Sequence, residues 1–327
     1  MTHVKRLGAA LQGAGTVFLL LALVFALILA INPGFFAAPS LMAFLKQAAP
    51  LVILAAGQYF VIVSGNFDLS VGALVGAQVV IAARLIDGEE SRTVPVMLVM
   101  LAFGIGVGLI NGLITTVLKV QSFITTLGML LVLYGAIRLW TGGAPTGALS
   151  DAFRTPGRLG IQTPLFQIPW ALLIMIGVGA GAIALMRTRF GRILMASGDN
   201  ELAANRSGAR VDTVRTAAFV LSGVSATIAG ILIGGFAGVS AQVGEGLEFT
   251  VITAVVLGGV ALGGGRGTAL AAMAGALAIE ALFTLFNQMA LPATLRPAVQ
   301  GVIIIAAVAY AARRRIRPAL QSTATPS

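Results

Sequence analysis

The chain has 327 residues, of which 58% are hydrophobic and 10% charged, and its formal net charge is +10. A soluble domain carries about 25% charged residues, so this chain lacks the polar surface that water requires and reads as an all-α membrane protein. It has no cysteine and one histidine, His3 in the N-terminal tail, which excludes disulfides, thiolate chemistry, a histidine-ligated metal site and a histidine-based triad. Its cations sit at the ends of apolar segments and in a few loops, a membrane pattern rather than a nucleic-acid one.

A crossing needs about 20 apolar residues. After a tail at 1–14, apolar segments fall at 15–31, 41–64, 70–86, 95–118, 122–140, 169–186, 216–237, 247–262, 268–287 and 297–312. This predicts about ten transmembrane helices in one domain over 15–312. The segments at 70–86 and 247–262 are short and read as tilted, broken or re-entrant. Lys5 and Arg6 precede the first segment as in a signal peptide, but its length and the spans behind it predict a retained helix. Residues 313–327 are basic and then polar, and the stretch from Gln321 to Ser327 is expected to be disordered.

Placing both termini in the cytoplasm puts fourteen Lys and Arg inside and seven outside, which together make up the 21. That asymmetry follows the positive-inside rule. The outside loop at 141–168 is rich in Gly and Pro. The inside loop at 187–215 is the most charged stretch, and a helix there would be amphipathic. It reads either as a solvated interfacial segment or as the contact surface of a large cytoplasmic partner.

Several polar residues fall at membrane depth. Asp68 lies between two apolar segments, either in a break inside the bundle or in a short cytoplasmic turn. In both cases Asp68 or Ser70 would cap the following helix. Glu280 lies within an apolar stretch, where a carboxylate costs a few kcal/mol and needs a cavity or a partner; proton coupling is the rival role. Asn111, Gln121, Ser122, Thr125, Thr126, Asn287 and Gln288 satisfy neighbouring helices or line a path for a hydroxylated solute. Gly104, Gly108 and Gly112, spaced four apart, predict close helix packing. No phosphate-binding G-x-x-x-x-G-K-[ST] loop occurs, and the glycine-rich run from Gly263 to Gly267 reads as a tight turn between spans. If ATP drives the protein, another chain hydrolyses it.

Three stretches, taken in order, resemble the permease subunits of bacterial ribose-type sugar ABC importers. The first is Asn66-Phe67-Asp68-Leu69-Ser70-Val71-Gly72. The second is Asn111-Gly112 followed by Ser122-Phe123-Ile124-Thr125-Thr126-Leu127-Gly128 and Thr141-Gly142-Gly143. The third runs from Thr188-Arg189-Phe190-Gly191-Arg192 through Gly198-Asp199-Asn200-Glu201-Leu202-Ala203-Ala204 to Ser207-Gly208, and is followed by Leu221-Ser222-Gly223, Gly258-Gly259 and the Gly263–Gly267 run. Asn66 and Phe67 stand where the family has Gly and Ile.

The resemblance implies a multi-pass protein of the bacterial inner membrane that moves a small polar solute, such as a pentose or hexose, into the cytoplasm. It is expected to be no enzyme itself. Its implied partners are membrane lipid, a second permease copy or paralogue, a cytoplasmic ATPase holding ATP and Mg, and a periplasmic or lipid-anchored solute-binding protein. The charged loop becomes the segment that docks into the ATPase, through Arg189, Gly191, Arg192, Asn200, Glu201, Ala203, Ala204, Ser207 and Gly208. Asn66, Asp68, Ser70, Asn111, Phe123, Thr125 and Glu280 are the candidates for the translocation path. The competing readings are an ion-coupled secondary transporter using Asp68 or Glu280, and an importer for branched-chain amino acids, nucleosides or a signalling furanose. An intramembrane enzyme would need a nucleophile–base pair or metal set that the sequence does not offer.

Overall fold

The computed structural model describes residues 2–303 and 305, except Pro145 and Ala241, with side chains described from Gly15 onward. The expected tail at 313–327 and half of the segment at 297–312 lie outside the described residues, and 295–303 are helical. The helices are α1 (Thr2–Ile31), α2 (Ala38–Val63), α3 (Val71–Ile86), α4 (Thr93–Thr116), α5 (Ser122–Thr141), α6 (Asp151–Arg158), α7 (Trp170–Met186), α8 (Arg189–Asp199), α9 (Glu201–Arg206), α10 (Val211–Ala237), α11 (Leu247–Leu257) and α12 (Ala269–Gln288).

Among the described residues, five helices are long and apolar enough to cross a membrane: α2, α4 with its preceding turn, α5, α10 and α12. A sixth crossing results if α7 and α8, bent by 72° at their junction, count as one broken span. The helices α3 and α11 are apolar but shorter, and Gly15–Ile31 is the apolar part of α1 whose side chains are described. The helices therefore meet the predicted apolar segments in position, while several are too short to span alone.

The expectation of a purely helical chain needs one correction. Within the 141–168 loop, β1 (Gly160–Gln162) pairs antiparallel with β2 (Gln167–Pro169), with Ile161 opposite Ile168. Three-residue strands next to Gly and Pro carry too little alternation to distinguish them from loop. The helix α6 precedes them and is capped by Ser150, whose hydroxyl accepts from the Phe153 amide at 3.2 Å.

The helices α2, α3 and α10 form the centre, and every residue of α2 from Ala48 to Val63 is buried. The helix α10 lies against α4, α2, α6 and α3. Glycine makes its approach to α4 possible. A Cβ on Gly108 would lie 2.5 Å from the Phe219 carbonyl oxygen, and one on Gly112 would lie 2.8 Å from the Thr216 Cα. The four-residue glycine spacing thus brings two backbones together, as small residues do between membrane helices.

Outward faces are strongly apolar. Val94, Leu98, Leu109, Leu131, Val132 and Leu139 are all exposed. Contiguous apolar surface of this kind is tolerated by lipid or a partner, not by water.

Candidate functional site

The chain between α2 and α3 is a buried break rather than a surface turn. Asp68 is 3% exposed and Ser70 1%. A carboxylate removed from water is retained only where donors surround it, and here they do. Its Oδ1 accepts from the Ser70 amide at 3.0 Å and from the Ser70 hydroxyl at 2.6 Å. Its Oδ2 accepts from the Ser222 hydroxyl of α10 at 2.7 Å.

The network spreads across the bundle. The Asn111 side chain of α4 donates to Ser70 Oγ at 2.9 Å. Gln58 of α2 donates to the Asp68 carbonyl at 3.2 Å. Two hydroxyls from the first turn of α5 take up the exposed backbone of the break: Ser122 accepts from the Phe67 amide at 3.1 Å and Thr126 from the Leu69 amide at 3.0 Å. Four helices, α2, α4, α5 and α10, therefore meet the break at one polar knot. The Asp68 carboxylate makes an Asx-type turn onto the Ser70 amide just before α3 begins, but the expected cap is not formed, because neither the Asp68 nor the Ser70 side chain accepts from an amide of α3 itself.

Beside this knot lies a cavity of about 370 Å³. Its wall includes Asn66 and Phe67 of the break, Thr115 and Thr116 of α4, Gln121, Ser122 and Phe123 at the start of α5, and Glu201 and Arg215. Asn66 is 7% exposed and donates to the Ser64 hydroxyl at 2.9 Å. Phe123 is 47% exposed at the rim. Thr125 is buried and donates to the Gln121 carbonyl within its own helix at 3.3 Å.

Glu280 is not brought to this cluster. It is half-buried on α12, and no hydrogen bond or ion pair among the described residues joins it to the Asp68 knot. The Arg296 guanidinium, which acts on it electrostatically, lies over the Phe283 ring and donates to Asn287 at 2.8 Å.

The charged loop folds into α8 and α9. Thr188 caps α8 through the Phe190 amide at 3.2 Å, and Asn200 caps α9 through the Ala203 amide at 3.0 Å. Gly191 stands where a Cβ would run into the Met186 backbone, so the sharp bend after α7 requires glycine. Gly208 adopts φ +76°, the left-handed region that glycine favours, and ends α9.

The outer face of this unit presents Arg189, Arg192, Leu202, Ala203, Arg206 and Ser207, with Ala204 turned inward. Leu202 is 60% exposed on an otherwise polar surface. The unit is fastened to the bundle by Arg215 of α10. Its guanidinium pairs with Glu201 at 2.5 Å and donates to the Ser197 carbonyl of α8 at 2.9 Å. Lys119, in the loop between α4 and α5, pairs separately with Asp212 in the first turn of α10 at 2.9 Å, rather than with α8 or α9.

The glycine-rich run packs on the same end. Gly264 and Gly265 have φ of +78° and +72°, and the Gly265 amide donates to the Val63 carbonyl at 2.8 Å. It is a tight turn, as its composition predicts.

The family model described as the branched-chain amino acid transport system / permease component matches residues 40–308. The chain belongs to this family. Among curated relatives, it is 32% identical over 304 residues to the autoinducer 2 import system permease protein LsrC of Yersinia enterocolitica, covering 92% of this chain and 83% of the relative. The Klebsiella pneumoniae protein of the same name is 34% identical over 302 residues, covering 91% and 86%. The ribose import permease protein RbsC of Escherichia coli K12 is 33% identical over 291 residues, covering 86% and 88%. No solved structure matches. Together with the apolar helices, these matches make the chain a multi-pass inner-membrane protein, the permease subunit of an ABC importer of the ribose type, as the ordered motifs implied.

Two residues that hold this arrangement together escaped sequence reasoning. Ser222 stood in a motif but carried no role, because its partner Asp68 is 154 residues away. Arg215 was one cation among many in a basic loop, and only the fold selects it as the one that binds Glu201.

Proposed function

We propose that this chain forms the translocation path for a hydroxylated, sugar-like solute, driven by ATP hydrolysed on a separate subunit. The observation that carries the proposal is the cavity wall. The docking unit, through Glu201, its α10 clamp, through Arg215, and the broken helix, through Asn66 and Phe67, face the same space. Closure of an ATPase pair on α8 and α9 would thereby act directly on the path.

Ten spans with both termini in the cytoplasm fit this reading, since the cation-rich docking unit then lies on the ATPase side. A second copy or a paralogue completes the path. A periplasmic or lipid-anchored binding protein delivers the solute and sets most of the specificity. ATP and Mg are held by the ATPase. Arg189, Arg192, Leu202, Ala203 and Ser207 supply the docking face, while Gly191, Asn200, Ala204 and Gly208 shape it.

The family description names branched-chain amino acids, whereas the relatives are named for ribose and autoinducer 2. The relatives' names favour the latter class, and the uncharged polar part of the cavity wall, beside the charged Lys119, Glu201 and Arg215, agrees with it. Asn66, Thr115, Thr116, Gln121 and Ser122 offer amide and hydroxyl groups suited to hydrogen-bonding a polyol. Uptake of labelled ribose, other monosaccharides, autoinducer 2 and leucine, compared between a deletion strain and the same strain complemented with this chain, tests the assignment. Complementation should restore uptake of a hydroxylated solute; restored uptake of leucine alone would refute it.

A further inference from the structure

Two residues seven apart on one face of the first half of α10 hold the two parts that transport must couple. Arg215 binds Glu201 of α9 and the Ser197 carbonyl of α8. Ser222 binds the Asp68 carboxylate in the break. Residues seven apart lie on one helix face, separated by about 10 Å along the axis. Between them Ala218 and Phe219 are fully buried, and the α10 backbone rests directly on Gly108 and Gly112 of α4. With backbone against backbone there is no side chain to absorb a displacement.

We infer that α10 is a rigid strut, that Arg215 is the positioning residue clamping the docking unit to it, and that Ser222 delivers its movement to Asp68. The inference rests on the importer reading and adds the transmission route. A shift of α8 and α9 is carried by the Arg215 clamp into α10. Ser222 then shifts against Asp68, and the carboxylate's hold on the Ser70 amide and hydroxyl passes the change to the start of α3. Asn111, bonded to the same Ser70 hydroxyl, registers the move on α4.

The test uses the whole complex, with its ATPase and binding protein, reconstituted in vesicles, and reads solute imported per ATP hydrolysed. A purely structural defect removes working complexes and lowers import and hydrolysis in proportion, leaving the ratio intact. The strut predicts that Arg215→Gln and Ser222→Ala each lower the ratio at least tenfold. Asp212→Asn, which removes the neighbouring ion pair to Lys119, keeps it within twofold of wild type. Arg215→Gln and Ser222→Ala complexes that import as much solute per ATP as wild type overturn the strut alone. If wild-type import proceeds without ATP, the importer reading falls, and the strut falls with it because nothing then drives α9.

Discussion

The Ser222 hydroxyl of α10 reaches across the bundle to Oδ2 of Asp68 at 2.7 Å, while both Ser70 donors occupy Oδ1. The carboxylate is thus engaged on both oxygens in a site closed to solvent. It orders the break before α3 and ties it to α10 directly and to α4 through Ser70.

Removing that carboxylate leaves three donors facing a void. Each unmet buried polar group costs about 1–3 kcal/mol, so Asp68→Ala should destabilise the solubilised protein by roughly 3 kcal/mol or more. Asp68→Asn keeps one oxygen, and the Ser222 hydroxyl can turn to accept, so its loss should be about half as large. Thermal unfolding followed by intrinsic fluorescence measures both. Equal midpoints for Asp68→Ala and wild type would contradict the knot.

The glycines of α4 divide into two classes. Gly108 faces α10, where a Cβ meets the backbone, while Gly106 has nothing within 4 Å. Overpacking a close contact costs about 1–3 kcal/mol, so Gly108→Val should lower the unfolding midpoint and transport together. Gly106→Ala should be neutral or stabilising by up to about 1 kcal/mol, since alanine favours helix over glycine.

How far the sequence led differs from feature to feature. Helix positions were legible because a backbone in lipid must bond within its own segment, so each apolar run signals a helix locally. The spacing of Gly104, Gly108 and Gly112 and the Gly263–Gly267 turn were legible for the same local reason. Lengths were less so. The segment at 247–262 yields only the 11 residues of α11, which Gly258 ends where a Cβ would strike the Ala271 carbonyl, a contact from a distant helix. Side-chain partners were the least legible. Glu201 stood as a free docking residue, yet its carboxylate is held by Arg215 from the same chain. Asp68 and Glu280 were both candidates for the translocation path, and the fold separates them.

Leu202 offers a clean probe of the docking face. It is exposed and makes no core contact, so Leu202→Asp should leave the unfolding midpoint within about 0.5 kcal/mol of wild type. Recovery of the ATPase with the solubilised permease should nevertheless fall at least tenfold. Undiminished recovery would move the docking face away from α9.

Glu280 separates the two energy sources. An ATP-driven importer has no use for a titrating carboxylate on α12, so Glu280→Gln should retain import within about twofold. A proton-coupled carrier relying on this acid would lose accumulation. Uptake assays in cells complemented with the variant distinguish the two.

The most direct test of the account is solute import into vesicles containing the permease with its co-purified ATPase and binding protein, measured with and without ATP and with and without a protonophore. Import that requires ATP and survives collapse of the proton gradient is the predicted result. Import that proceeds without ATP and vanishes with the gradient would contradict the account and make the chain an ion-coupled carrier.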